Sequence, residues 1–303
     1  MRFILLVLTA LLVAIAAPAA AQQGFTSARA AAMGGAASGS GGNGSIYINP
    51  AGLMVLSRFS AEAGYHNNGP AGSNSFGLSV IDSKTNPNIS AGVAYDYAFG
   101  PGATDDDIDD ARDHSLRFGA AVPLVPAQVF LGVAGHYTSA RTVETVTTLP
   151  PVGLPTQPTV TQQASRNDSM TVDIGLMAVI QRVVSIGVTA QNIAQTEYVQ
   201  GGRRYLGGIG IYAGPLQLEL QYAAEQDRVT KDYIGTFAGG AEVTIAQVVP
   251  LRVGVQSRGI TDGAWITGGL GYRGMTSGVD LTLQQSALIG SDRAIMATIL
   301  LFR

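Results

Sequence analysis

Residues 216–222 read Leu-Gln-Leu-Glu-Leu-Gln-Tyr, a strict alternation of apolar and polar side chains. Successive side chains of a β-strand point to opposite faces, so this stretch predicts a strand with one apolar and one polar face. Two later stretches, 251–256 and 279–284, alternate in the same way. The chain is therefore predicted to be rich in strands whose two faces meet different surroundings.

Alternation of this kind extends from residue 58 almost to the end of the chain, and it predicts fourteen strands. Most of them span 9 to 14 residues. A tilted strand needs about 9 to 11 residues to cross a bilayer, whereas strands of soluble proteins are usually shorter. The predicted strands are 58–66, 74–83, 88–98, 113–122, 127–140, 168–181, 183–191, 203–213, 216–225, 233–245, 250–258, 264–273, 277–286 and 293–302.

The connections between these strands are alternately short and long. Each even-numbered strand is followed by a short turn, and the longest of the other connections are 100–112, 141–167 and 192–202. An even strand number, short turns at one end and longer loops at the other are typical of outer-membrane barrels. The sequence predicts an all-β fold, a 14-stranded antiparallel transmembrane β-barrel in the outer membrane of a Gram-negative bacterium, surrounded by outer-membrane lipids.

Aromatic residues near the strand ends support this interpretation, because membrane barrels carry aromatic girdles at both lipid–water interfaces. The last strand is apolar and carries an aromatic residue next to the C-terminus, which resembles the signal read by the outer-membrane insertion machinery. The predicted girdles are Tyr65, Tyr95, Tyr97, Tyr137 and Tyr222 at the loop ends, and Tyr212, Tyr272 and Phe302 at the turn ends.

The N-terminus and the composition indicate an exported chain. Residues 1–21 combine Arg2, an apolar run of about 15 residues and a small-residue cleavage site, which predicts a signal peptide rather than the ~20-residue helix that spans a membrane. No later stretch is apolar enough for such a helix, and there are no cysteines. A net charge of −3 gives no electrostatic basis for nucleic-acid binding.

The segment between the signal peptide and the first strand carries two motifs. They are Ala28-Arg29-Ala30-Ala31-Ala32-Met33-Gly34-Gly35 and Asn49-Pro50-Ala51-Gly52-Leu53, separated by a spacer of small residues. The asparagine side chain is suited to cap a helix, and proline is suited to the first helical position because it lacks a donor there. We expect residues 51–56 to form one or two apolar helical turns.

Together with the fourteen strands, these motifs resemble the N-terminal pattern of the FadL-type outer-membrane transport proteins and their shorter PorV-like relatives. The resemblance implies that residues 22–57 fold back into the lumen as a plug and that residues 58–303 form the barrel. It assigns the plug motif to Arg29, Gly34, Gly35, Asn49, Pro50, Ala51, Gly52 and Leu53. The plug is much shorter than the helical hatch of the long-chain fatty-acid transporters.

Charged residues are predicted on the inward faces of the strands, where they avoid the cost of facing lipid. A hydrated or mutually paired network is the simpler interpretation, and a substrate-specific polar site is the alternative. The predicted lumen-facing charges are Glu62, Asp96, Arg117, Asp173, Glu219, Glu242, Arg252, Arg273 and Asp280.

Glycines are also frequent at inward positions, although glycine weakens a strand unless something packs closely against it. They are explained equally well by a lumen shaped to hold a plug or by the curvature of the barrel wall. These positions are Gly64, Gly77, Gly92, Gly119, Gly132, Gly175, Gly187, Gly254, Gly269 and Gly271.

Neither a metal site, a cofactor nor an enzyme is predicted. The acidic cluster in 105–113 lacks the central glycine and final glutamate of a calcium loop, and the proline-rich run 149–155 indicates a stiff external flap. There are three histidines, His66, His114 and His136. His136 points inward by alternation, but Ser139 falls on the opposite face and no serine is evidently paired with the histidine. The glycines of 207–210 lack the context of a nucleotide site.

Two functions follow from the resemblance. The first is passive transport of hydrophobic compounds such as fatty acids across the outer membrane. The second is a PorV-like barrel that does not transport but serves as a carrier or assembly partner for exported surface proteins. An apolar pocket bounded by the plug would favour the first function, and a sealed lumen with a wide outer opening would favour the second.

Overall fold

The fold is a closed barrel of fourteen antiparallel strands. The computed structural model describes residues 26–67, 69, 73–100, 111–148, 159–194, 202–227, 230–259, 263–287 and 293–303. Each strand pairs with its neighbours in sequence, and the first strand pairs with the last, which closes the sheet. The strands are β1 Phe59–Asn67, β2 Asn74–Asp82, β3 Ser90–Gly100, β4 Ala111–Val125, β5 Val129–Thr148, β6 Thr159–Ile180, β7 Val184–Gln191, β8 Arg204–Ala213, β9 Leu216–Gln226, β10 Tyr233–Ile245, β11 Val249–Arg258, β12 Ala264–Arg273, β13 Ser277–Ser286 and β14 Arg293–Phe302.

The prediction of a 14-stranded antiparallel barrel is confirmed, with one difference in its outline. Strands β5 and β6 continue well beyond the predicted ends, and their pairing reaches Thr148 and Thr159. Much of the predicted loop 141–167 is therefore a two-stranded ribbon. Its threonine- and valine-rich sequence explains this, because β-branched residues favour extended backbone. No helix in the described part of the chain has the length and apolar character needed to cross a membrane.

The barrel is apolar on its outside and polar or tightly filled inside. Leu220, Phe237 and Val253 expose 65%, 66% and 64% of their surface on the outer face. The aromatic prediction is wrong for two residues of the turn-side girdle. Tyr212 and Phe302 face the lumen, because the period of two places Ile211 and Leu301 outward beside them.

Residues 26–57, called here the luminal segment, lie inside the barrel and provide its buried core. The segment contains helix α1 (Ala28–Ala32), helix α2 (Ser45–Ile48) and a 3₁₀-helix, η1 (Pro50–Met54). The side chains of Met33, Ile46 and Leu53 are at most 1% exposed. The predicted signal peptide and residues 22–25 lie outside the described residues.

Candidate functional site

The luminal segment fits against strand glycines. A Cβ atom at Gly187 would overlap the carbonyl oxygen of Ser38, and one at Gly132 would overlap the backbone of Pro50 and Ala51. Seven of the ten predicted inward glycines lie against this segment. Close packing therefore explains them better than wall curvature alone. The seven are Gly92, Gly119, Gly132, Gly175, Gly187, Gly254 and Gly269.

The first plug motif forms α1 and the turn that ends it. Gly34 and Gly35 have φ angles of +73° and +83°, a left-handed conformation that is strained for residues with a Cβ. The amide of Gly35 donates to the carbonyl of Ala30 at 2.8 Å, which satisfies an open helix end. The backbone of Gly34 also lies directly against Gly254 of β11. These glycines thus shape the turn and allow the segment to touch the wall.

The second plug motif begins η1. Asn49 Oδ1 accepts from the amide of Ala51 at 3.1 Å, and Asn49 Nδ2 donates to the carbonyl of Ser38 at 2.9 Å. Pro50 takes the first helical position, and Leu53 is buried near Gly119. The asparagine therefore caps the turn and also joins two parts of the segment. The expected apolar turns are present in residues 50–54, wound as a 3₁₀-helix.

A chain of ion pairs joins the segment to the wall on the side of the short turns. Arg29 binds Glu219 at 2.9 Å and Glu242 at 3.0 Å. Arg252 bridges Glu242 and Asp280, with both contacts at 2.6 Å. Three arginines thus alternate with three carboxylates, because Arg273 also binds Asp280 at 2.6 Å.

This alternation neutralises charges that burial alone would make costly. Burial disfavours the charged form of Arg29, but the attraction of Glu219 and Glu242 for the guanidinium is stronger than this effect of burial. The pKa of the guanidinium is therefore raised above its usual value. Glu62 lies close to the chain and accepts a hydrogen bond from the amide of Ala28. The paired-network interpretation therefore describes these residues.

The remaining predicted charges form a second cluster nearer the long loops. The hydroxyl of Tyr47 donates to Asp96 at 3.1 Å, and Arg117 lies 3.8 Å from Asp173. The Arg117 guanidinium carbon is also 5.5 Å from the centre of the Tyr47 ring, a cation–π distance. Burial and then Asp96 raise the pKa of the Tyr47 phenol well above its usual value. Through Tyr47, this cluster too includes the luminal segment.

The interpretation that no serine is paired with His136 is wrong. His136 Nε2 lies 2.9 Å from Ser115 Oγ, on the neighbouring strand, and 2.8 Å from Thr138 Oγ1. Ser115 also contacts the carboxylate of Asp96. The serine thus stands between the acid and the histidine, whereas a catalytic triad places the histidine between the acid and the nucleophile. The arrangement belongs to the polar wall of the lumen.

Several uncharged wall residues that hold the segment were not among the predicted site residues. Gln221 accepts from the amide of Ser38 at 2.9 Å, and Gln191 donates to the carbonyl of Tyr47 at 2.8 Å. Thr267 and Thr282 donate to carbonyls of α1, each at 2.8 Å. Their common signal is a polar residue at an inward position of the strand alternation. The acidic residues 105–110 and the proline-rich run lie outside the described residues.

A cavity of about 990 Å³ lies between the segment and the short turns. One part of its wall is apolar, and the other part carries charged groups, four of which belong to the ion-pair chain. The apolar part includes Met54, Val55, Leu56, Phe130, Val179, Leu300 and Phe302, and the charged part includes Arg29, Arg58, Glu62, Glu242, Arg252 and Arg273.

Solved structures share this architecture, although no protein-family profile and no curated protein sequence matches the chain. The Ralstonia pickettii toluene transporter TbuX is similar with a TM-score of 0.68 at 15% identity, over 93% of this chain and 98% of the transporter. The monoaromatic hydrocarbon channel CymD gives 0.67 at 13% identity, over 90% and 96%. A FadL homologue of Pseudomonas aeruginosa gives 0.60 at 11% identity, over 92% and 98%.

The similarity is not confined to the strands. The part of the chain from Phe59 onward comprises 245 of the 303 residues, so a match over 93% of the chain reaches into the luminal segment. The chain therefore has the fold of the FadL-type outer-membrane transport barrels.

Proposed function

We propose that this barrel carries small hydrophobic compounds passively across the outer membrane. The observation that carries the proposal is the cavity below the luminal segment, because part of its wall is a continuous apolar surface. The 3₁₀-helix contributes Met54 to this surface, Val55 follows it, and β5 and β6 contribute Phe130 and Val179. Such a pocket, bounded by the segment, is the feature expected of a transporter rather than of a sealed carrier barrel.

In this proposal the luminal segment controls passage between the loop side and the cavity. The segment fills the lumen at the level of Gly187 and Gly254, where its backbone touches the wall. A compound entering from the loop side therefore reaches the cavity only after the segment shifts or by passing along its edge. No energy source is needed, since movement follows the concentration gradient.

The similar solved structures suggest which compounds to test. Two of them are described as a toluene transporter and a monoaromatic hydrocarbon channel, which supports aromatic hydrocarbons as substrates. Fatty acids are the second class, and the mixed apolar and charged lining suits them as well. We therefore propose labelled toluene and a labelled fatty acid as the two probes.

The test is uptake by cells of a Gram-negative host that produce the barrel in their outer membrane. Val179→Trp adds bulk at the cavity wall, whereas Val188→Trp adds the same bulk on the outer face, where Val188 is 50% exposed. We expect wild type and Val188→Trp to raise uptake above the empty-vector level and Val179→Trp to lower it towards that level. Equal uptake by wild type and vector for both probes would refute the proposal.

A PorV-like role makes a different prediction for the native host. Deleting the gene would then release exported proteins from the cell surface and leave the uptake of both probes unchanged. The cavity gives no support to this alternative.

A further inference from the structure

The outer face of the barrel changes in character at the loop ends of β4 and β6. Nearer the short turns the outward residues of these strands are apolar, as Phe118 is, with 56% of its surface exposed. Nearer the long loops the same alternation places Arg112 and His114 of β4 outward, together with Arg166 and Asp168 of β6. All four side chains are exposed, and they are called here the outer-face patch.

The patch lies on the loop side of the aromatic girdle. Tyr137 of β5 belongs to the girdle, and its backbone pairs with Leu116 of β4 and with Met170 of β6. Arg112 and Arg166 each lie four residues further towards the loops, which is about 13 Å along a strand and about 10 Å along the membrane normal for a tilted strand. Because interfacial aromatic residues mark the headgroup boundary, the two arginines lie at the level of the lipid headgroups.

The two arginines belong to one surface. Only β5 separates them, because both pair with residue 141 of that strand, and the spacing of strands puts their backbones about 10 Å apart. Arg166 Nε donates to Ser139 Oγ at 2.8 Å and to Asp168 Oδ1 at 3.2 Å. These bonds hold Arg166 against the wall, while 69% of its side chain stays exposed. Two long cationic side chains can therefore reach one bound headgroup.

The patch is basic and is bordered by aromatic rings. Among the described outward residues at the loop ends of β3–β6, two arginines are accompanied by one carboxylate. His114 packs against β3, since its Nδ1 atom is 2.7 Å from the hydroxyl of Tyr95 and its ring centre is 4.8 Å from that of Tyr97. The rings of Tyr97 and Phe99 stack at 5.4 Å. The surface thus combines cations, which suit an anion, with flat aromatic faces, which suit a sugar ring.

We propose that the outer-face patch binds the phosphorylated sugar headgroup of a glycolipid in the outer leaflet of the outer membrane. Arg112 and Arg166 donate charge-assisted hydrogen bonds to the phosphate oxygens, for which the planar guanidinium is well suited. Basic clusters beside membrane-spanning segments recognise anionic headgroups by the same attraction. A lipid is favoured over a soluble anion, because the patch continues directly into the apolar, lipid-facing wall at Phe118. The proposal concerns the outside of the barrel and does not depend on what the lumen carries.

The test is native mass spectrometry of the purified, folded barrel in uncharged detergent, titrated with diphosphoryl lipid A. Arg112→Ala/Arg166→Ala should bind lipid A at least about tenfold more weakly than wild type, because charge-assisted hydrogen bonds are lost. Arg203→Ala/Arg293→Ala is the matched control, since it removes two exposed arginines at the loop ends of other strands, and it should bind like wild type. Lipid A without its phosphates should bind weakly and equally to all three chains.

Asp168→Asn separates phosphate recognition from the ion pair within the patch. Asp168 competes with a phosphate for Arg166, so this variant should bind lipid A at least as tightly as wild type. If the two arginines served only the structure of the wall, Asp168→Asn would weaken binding as Arg112→Ala/Arg166→Ala does.

Several outcomes would overturn the proposal. They are wild-type affinity in Arg112→Ala/Arg166→Ala, an equal loss in the control variant, equal binding of lipid A with and without phosphates, and weakened binding by Asp168→Asn. Displacement of lipid A by an equal concentration of inorganic phosphate would show a site for the free anion instead. A dimer seen in wild type and absent from Arg112→Ala/Arg166→Ala would assign the surface to a second copy of the chain. The altered electrophoretic mobility of a folded barrel before heating verifies that each variant is folded.

Discussion

Replacing Arg29 by methionine should loosen the luminal segment while the barrel stays closed. Arg29 is the only residue of the segment in the ion-pair chain, and its loss leaves Glu219 with two uncharged partners, Gln217 at 2.8 Å and Ser40. Glu242 keeps Arg252. Removing one partner of a buried ion pair costs about 3–5 kcal/mol, and the 21% exposure of the Arg29 side chain reduces this to about 2–3 kcal/mol.

Amide hydrogen exchange of residues 27–36 measures this effect, because it reports the free energy of local opening. A loss of about 2–3 kcal/mol speeds exchange by roughly 30- to 140-fold, since about 1.4 kcal/mol corresponds to a factor of ten. Amides of the barrel strands should exchange as in wild type. Adding Glu219→Gln to the Arg29→Met chain should restore most of the protection, because it removes the uncompensated charge.

The matched control for this prediction is Arg166→Ala. Arg166 also pairs with a carboxylate, that of Asp168, but their side chains are 69% and 51% exposed, and such pairs contribute little. The control should leave exchange of residues 27–36 unchanged. If Arg29→Met exchanged no faster than this control, the ion-pair chain would not hold the segment, and the reasoning would be wrong.

Three further predictions concern the segment and the wall. Gly187→Val should displace Ser38 of the segment from the barrel wall and so increase cleavage of the segment by protease. Gly135→Val is the control, because a Cβ there would meet no described atom within 4 Å, and it should not increase cleavage. Equal cleavage of the two variants would contradict the close fit between segment and wall. Asn49→Ala should destabilise the segment by about 1–2 kcal/mol in exchange experiments without preventing barrel insertion, and a variant that failed to insert would place the motif in assembly instead. Leu220→Arg should lower the free energy of unfolding in lipid vesicles by about 2–4 kcal/mol, and Leu220→Ala by less, since an arginine on the lipid face is costly near the midplane.

The strand count was predictable because a barrel wall between lipid and lumen imposes a period of two on every strand. The same period of two places Tyr212 and Phe302 inward, so their position near the strand ends does not make them part of the aromatic girdle. The extension of β5 and β6 was missed for another reason. Beyond the membrane no apolar face is required, so the alternation fades although the pairing continues.

The sequence predicts which types of residue face the lumen, but it predicts only in part how these residues are arranged and paired. Alternation places Glu219 and Arg252 on the inner face, but nothing in the sequence pairs Arg29 with Glu219, which lies 190 residues away. The pairing of Ser115 with His136 likewise depends on the register between β4 and β5. Register is a property of neighbouring strands together, and a single strand does not reveal it.

By itself the sequence determined the class of the protein, since local periodicity records which face of each strand meets lipid. Only the tertiary structure decided what the inner face does. Closure of the barrel brings distant strands around one segment. This places seven glycines against the backbone and side chains of the segment, and it links six charges into one chain of ion pairs. These outcomes depend on distances across the lumen, which arise when the sheet closes and are not written in any local stretch of the chain.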